Sequence, residues 1–127
     1  MKFVYIGIGG AIGSILRYAV AGVAQKLVNP IFPLGTLVVN MLGSLAIGFL
    51  WDAFERTLIP PGLRTFTLIG LLGAFTTFST YSLESFSLMR DGEYRLAIIN
   101  ILASNILCLA MVFAGFFLSR FIYGFGR

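Results

Sequence analysis

The chain has 127 residues, of which 58% are hydrophobic and only 11% charged, with nine Lys and Arg against five Asp and Glu. A soluble domain carries about 25% charged residues to face water, so a water-soluble globule is excluded and a membrane protein is indicated. The basic residues are scattered rather than clustered, which removes the footprint that nucleic-acid binding needs. The absence of His and the single Cys108 leave no basis for a zinc site, histidine acid–base chemistry or an internal disulfide.

A membrane helix needs about 20 mainly apolar residues. The first such segment covers about residues 3–27 and carries Arg17 within it. Lys2, the apolar run and Ala19-Val20-Ala21 mimic a cleavable leader, but Arg17 directly before that site and the length of the run favour a retained helix. Gly9-xxx-Gly13 and Gly10-xxx-Ser14 allow close backbone approach, either within one subunit or between two. The glycine run is no dinucleotide fingerprint, because Ile12 stands where that spacing requires glycine.

Asn29-Pro30-Ile31-Phe32-Pro33 then ends the helix, since proline lacks the N–H donor and restricts its predecessor. The second span is expected over about residues 35–51, with Trp51 as an interfacial anchor. Asp52, Glu55 and Arg56 read as its following loop, closed by Pro60-Pro61-Gly62. Thr36, Asn40 and Ser44 recur at i, i+4 and i+8 and share one helical face.

The third span, about residues 63–89, is the chemically unusual one. Between Thr76 and Ser82, five of the seven positions are Ser or Thr, and Ser85 adds a sixth hydroxyl just beyond. Lipid cannot satisfy such groups, so they must face protein or water. The glycines that precede the run weaken the helix, and unwinding is expected within residues 73–77. A broken membrane helix presents carbonyls at one end and N–H groups at the other, suited to cations and anions respectively. The competing view is an intact helix whose hydroxyls bond back to its own carbonyls.

The turn-like loop Arg90-Asp91-Gly92-Glu93-Tyr94-Arg95 leads into the fourth span, about residues 96–121. Asn100, Ser104 and Cys108 form a second i, i+4, i+8 stripe. Residues 1–127 thus form one four-helix transmembrane domain. An even number of crossings places Lys2, Arg56, Arg64, Arg120 and Arg127 on one side and Lys26, Arg90 and Arg95 on the other. That bias is weak under the positive-inside rule, and it permits insertion in both orientations and an antiparallel homodimer.

Three polar faces suggest a shared pathway rather than helix-to-helix glue alone. Hydroxyl O–H and amide NH2 groups are donors suited to an anion shedding water, and aromatic ring edges carry partial positive charge. Phe78 and Tyr81 are three residues apart and project from one face. Arg17 and Glu84 are the charges at membrane depth, where charge is costly and commonly functional.

Gly73-Ala74-Phe75-Thr76-Thr77-Phe78-Ser79-Thr80-Tyr81-Ser82-Leu83-Glu84 resembles the third-helix motif of the Fluc family of fluoride channels. Leu16-Arg17-Tyr18 and Pro33-Leu34-Gly35-Thr36-Leu37-Val38-Val39-Asn40 are similar to that family's first- and second-helix motifs, in the same order along the whole chain. The resemblance implies an all-α membrane protein with a broken third helix. It further implies a dual-topology antiparallel homodimer in the cell membrane, with lipid and a second copy as its neighbours and fluoride as its ion. It implies a structural Na+ at the dimer centre, held by the backbone carbonyls of Gly73 and Thr76. It places Asn40, Phe78, Tyr81, Ser79, Thr80, Glu84 and Ser104 along the anion path, with Arg17 near its vestibule and Thr36 on the same face as Asn40. The chain departs from the family in Gly73-Ala74, where Gly-Gly is usual, and in Tyr81, where Phe is usual.

Two other functions use the same residues differently. A small multidrug-type antiporter would use Glu84 as its proton and cation carrier, and a non-transporting subunit would use the polar stripes only to hold helices together. No nucleophile–base–orienter set suggests an enzyme.

Overall fold

The computed structural model describes residues 1–28 and 30–124. Asn29 of the expected helix break and Arg127 of the charge count lie outside the described residues. Four segments are long and apolar enough to cross a membrane: Lys2–Gln25, Leu34–Arg56, Pro61–Arg90 and Tyr94–Gly124. The described residues form helices and turns, with no strand among them. Helix α1 is Lys2–Gln25 and α2 is Leu34–Arg56. The third span is composite: α3 (Pro61–Arg64), a π-helical stretch (Thr65–Leu71), α4 (Leu72–Phe75) and α5 (Phe78–Arg90). Helix α6 is Tyr94–Gly124.

Helix α2 runs on past Trp51 to Arg56, where the sequence suggested a loop. The cause is local. Asp52 and Arg56 sit one turn apart and pair at 2.9 Å, so the charges extend the helix instead of ending it. Asp52 is only 4% exposed, which places this turn against the body of the protein.

Two glycine-lined seams set the helix arrangement. Helices α2 and α6 pack so closely that a Cβ on Gly48 would collide with the Val112 carbonyl, and one on Gly115 with the Leu45 carbonyl. Helix α1 meets the first half of the third span in the same way. A Cβ on Gly9 would stand 2.5 Å from the Phe66 carbonyl oxygen, and one on Gly13 would strike the Leu71 carbonyl. Without a hydrophobic drive between helices in lipid, such backbone contact supplies much of the packing. The Gly9-xxx-Gly13 stripe therefore serves packing inside one subunit.

Gln25 joins the first two spans. Its Nε2 donates to the Phe32 carbonyl (2.8 Å) and its Oε1 accepts from the Gly35 N–H (3.1 Å). The loop between α5 and α6 closes with Gly92 at φ 83°, and the Glu93 N–H donates to the Leu88 carbonyl (2.8 Å). Large apolar side chains such as Phe3, Ile15, Leu102, Phe113 and Phe117 point outward, the surface expected of a protein solvated by lipid.

Candidate functional site: a polar track at the interruption of the third span

Helix α4 stops at Phe75, and α5 starts at Phe78. Between them Thr76 (φ −84°, ψ 156°) and Thr77 (φ −149°, ψ 115°) are extended. β-Branched residues give up little by leaving a helix, and Thr is a good N-cap because its hydroxyl can accept an N–H of the first turn. Thr77 does so: its Oγ1 accepts from the Thr80 N–H (3.2 Å) and donates to Thr80 Oγ1 (3.0 Å). Ser79 Oγ lies 3.3 Å from the same oxygen. Thr76 Oγ1 turns back and donates to the Leu72 carbonyl (3.1 Å).

Extended backbone inside a membrane needs partners from another element. Asn40 of α2 supplies both. Its Oδ1 accepts from the Thr77 N–H (2.8 Å), and its Nδ2 donates to the Thr77 carbonyl (3.0 Å). The side-chain amide acts as a one-residue strand partner. In an unbroken helix the Thr77 N–H would serve the Gly73 carbonyl. That N–H is turned to Asn40 instead.

Two cavities meet at Thr77. The first, about 390 Å³, is lined by Asn40, Gly73, Thr76, Phe78, Tyr81 and Ser104, among others. The second, about 740 Å³, is lined by Arg17, Thr36, Thr80 and Glu84, among others. Thr77 lines both. The residues named from the sequence thus fall into two groups on either side of the interruption. Ser79 lines neither of these cavities and is exposed.

In the second cavity Thr36 Oγ1 donates to Glu84 Oε1 (2.7 Å), which joins the second and third spans. The other carboxylate oxygen, Oε2, is buried with no hydrogen-bond partner among the described residues. Arg17 shares this cavity without forming an ion pair to Glu84 among the described residues.

In the first cavity the rings of Phe78 and Tyr81 are 5.3 Å apart and tilted by 54°, which leaves edges as well as faces exposed to a bound species. Tyr81 is held from α6 at two points. Asn105 Nδ2 donates to its Oη (3.0 Å), while Asn100 Nδ2 donates to Ser85 Oγ (2.9 Å), which in turn donates to the Tyr81 carbonyl (2.9 Å). Asn100 therefore acts as glue between helices, whereas Ser104 and Cys108 line the cavity.

Two residues of weight were missed by pattern. Thr77 was one hydroxyl in a run, and nothing in its neighbours marked it as the hub. Asn105 lies one residue off the Asn100–Ser104–Cys108 stripe, and its partner is 24 positions away. An amide beside a stripe of small polar residues was the available signal.

Four apolar helices, with the third span interrupted between Phe75 and Phe78 and a polar lining across the gap, fit a multi-pass cell-membrane protein. The profile of the family described as CrcB-like protein, Camphor Resistance (CrcB), matches residues 4–116. The chain is 46% identical over 122 residues to the fluoride-specific ion channel FluC of Desulforapulum autotrophicum, covering 95% of this chain and 98% of that one. It is 42% identical over 123 residues to the fluoride-specific ion channel FluC of Magnetococcus marinus (96% and 100%) and 46% over 120 residues to that of Parabacteroides distasonis (94% and 94%). The chain belongs to the CrcB-like family.

Proposed function

We propose that this protein is a passive, fluoride-selective channel that lets fluoride leave the cell across its membrane. The observation that carries the reading is the interruption at Thr76 and Thr77, clasped by Asn40 and opening onto a cavity with hydroxyl, amide and ring-edge donors. The names of the relatives, which cover nearly all of the chain, point the same way. Fluoride holds its hydration shell tightly, so a path must replace water with donors that do not trap the ion. Asn40, Ser104 and the Tyr81 hydroxyl are such donors, and the tilted pair Phe78 and Tyr81 adds ring edges. Thr36, Thr80 and Glu84 continue the track on the other side of Thr77, toward Arg17. Ser79, on the exposed side of α5, joins the path only through a second copy.

The first cavity is an open groove in one chain, and a second copy closes it. An antiparallel, dual-topology homodimer uses the weak charge bias of the loops and brings two interruptions together. At that centre the Gly73 and Thr76 carbonyls of each copy would hold Na+. The residues fit in kind. The Gly73 carbonyl has lost its helical donor to Asn40, and Thr76 is extended. One chain alone offers too few oxygens for the ion, which agrees with a site shared between copies. A bound Na+ supplies a fixed positive field beside the anion route.

The antiporter alternative gains nothing from this geometry. Glu84 accepts a hydrogen bond from Thr36, in a cavity to which Tyr18 brings the aromatic ring, not in the aromatic cage a lipophilic cation would need. The test is ion efflux from liposomes holding the purified protein, read with a fluoride electrode. Fast fluoride efflux with little chloride loss, abolished when Na+ is withheld throughout purification, is expected. Efflux that requires a proton gradient would instead assign an antiporter.

A further inference from the structure

The groove beside the interruption contains a contact that neither the hydroxyl run nor the stripe on α6 accounts for. Asn105 Nδ2 donates at once to the Ile101 carbonyl (2.8 Å) and to Tyr81 Oη (3.0 Å). A carbonyl only accepts, so the contact with Ile101 fixes which end of the amide is NH2. Both amide hydrogens are then assigned, and Tyr81 Oη is an acceptor toward Asn105. The phenolic proton remains free for another acceptor. Tyr81, Asn105, Asn40 and Ser104 all line the same cavity. The Tyr81 backbone is held as well, through Ser85 and Asn100, so the phenol has little freedom to turn away.

We propose that Asn105 is a positioning residue that aims the Tyr81 O–H into the groove as an anion donor, and that this pair is a specificity determinant of the channel. The inference rests on the fluoride-channel reading. A hydroxyl that accepts one hydrogen bond is a stronger donor in the next, and an O–H aimed beforehand costs a small anion less reorganisation than one that must rotate. A small, hard anion gains most from one short, directed O–H contact, whereas a larger halide cannot approach the donor as closely. The phenol therefore adds a directed donor at the place where a Phe ring would offer only an edge.

The experiment is a double-mutant cycle in liposomes, with fluoride and chloride efflux measured for the parent, Asn105→Leu, Tyr81→Phe and the double variant. Asn105→Leu should slow fluoride efflux about tenfold, the loss expected for one charge-assisted hydrogen bond, and should lower the fluoride-to-chloride ratio. In the Tyr81→Phe background the same substitution should change fluoride efflux by less than about twofold, since the hydroxyl it aims is gone. Asn105→Gln, which keeps the NH2 group, should recover part of the loss with Tyr81 present and none without it. Equal losses in both backgrounds, or no loss with Tyr81 present, overturn the proposal. A parent that passes no fluoride overturns the channel reading and this proposal with it, an outcome distinct from a conducting parent without coupling.

Discussion

The two halves of the third span are built on opposite terms. The first half, Pro61 to Phe75, reaches its place by steric contact. Its π-helical stretch brings Gly70 to α1, where a Cβ on Gly70 would stand 3.0 Å from the Ile6 carbonyl and 3.1 Å from Gly9 Cα. Backbone meets backbone along this seam, and Arg64 adds one polar contact at its start, over the Trp51 ring (5.1 Å). The second half, Phe78 to Arg90, reaches its place by hydrogen bonds. Glu84, Ser85 and Tyr81, with Thr77 at the N-cap just before them, each find a partner from α2 or α6. The first half locates the interruption, and the second furnishes it with donors. Steric seams tolerate little added volume, while a polar track does not tolerate the loss of a donor.

The comparison predicts different penalties for the two halves. The largest belongs to the steric seam. Gly13→Leu must displace α1 from the Leu71 backbone, at a cost of about 3 kcal/mol or more. It should yield protein that fails to run as a single species in detergent by size exclusion. A well-behaved variant would show that the seam is not as tight as described.

Next comes Asn40→Leu. It leaves the Thr77 N–H and carbonyl without their partner at a site that is 8% exposed, and two stranded backbone groups cost about 2–5 kcal/mol. The thermal-unfolding midpoint should fall and fluoride efflux should cease. Thr36→Val should do less. It removes one donor to Glu84, at about 1–3 kcal/mol, and fluoride efflux should slow without loss of fold. An unaltered rate would remove the second cavity from the path.

The smallest effects are expected where a glycine faces open space or ordinary contact. A Cβ on Gly7 meets nothing within 4 Å, and one on Gly73 only approaches the Leu68 carbonyl at 3.9 Å. Gly7→Ala should shift stability by no more than about 1 kcal/mol, toward greater helix stability. Gly73→Ala should be equally mild in stability, and because it keeps the backbone carbonyl it should leave the Na+ dependence of efflux unchanged.

Much of this arrangement was legible beforehand, for physical reasons. Apolar length reveals spans directly, and the four segments fall close to where hydropathy puts them. The extension of α2 to Arg56 escaped because charges in a membrane sequence read as loop, whereas Asp52 and Arg56 neutralise each other one turn apart. The hydroxyl run marked the neighbourhood of the site, since lipid gives such groups no partner. Its internal division did not show. Thr77 becomes a hub only once α2 presents Asn40 to it, and Asn105 matters only because α6 carries it to Tyr81. Those pairings join positions 37 and 24 residues apart, and periodicity within one helix carries no information about which helix lies opposite. The π-helical stretch, Thr65–Leu71, had no sequence signal that we can identify.

On the proposed reading, fluoride crosses the membrane at the interruption that Asn40 clasps. The most direct measurement is passive fluoride efflux from liposomes, comparing the parent with Asn40→Leu and with Gly7→Ala as a control for folding and insertion. Rapid efflux from the parent and Gly7→Ala, with none from Asn40→Leu, is the predicted result. Equal fluoride efflux from all three would contradict the account, because the ion would then be crossing somewhere other than the site that Asn40 holds together.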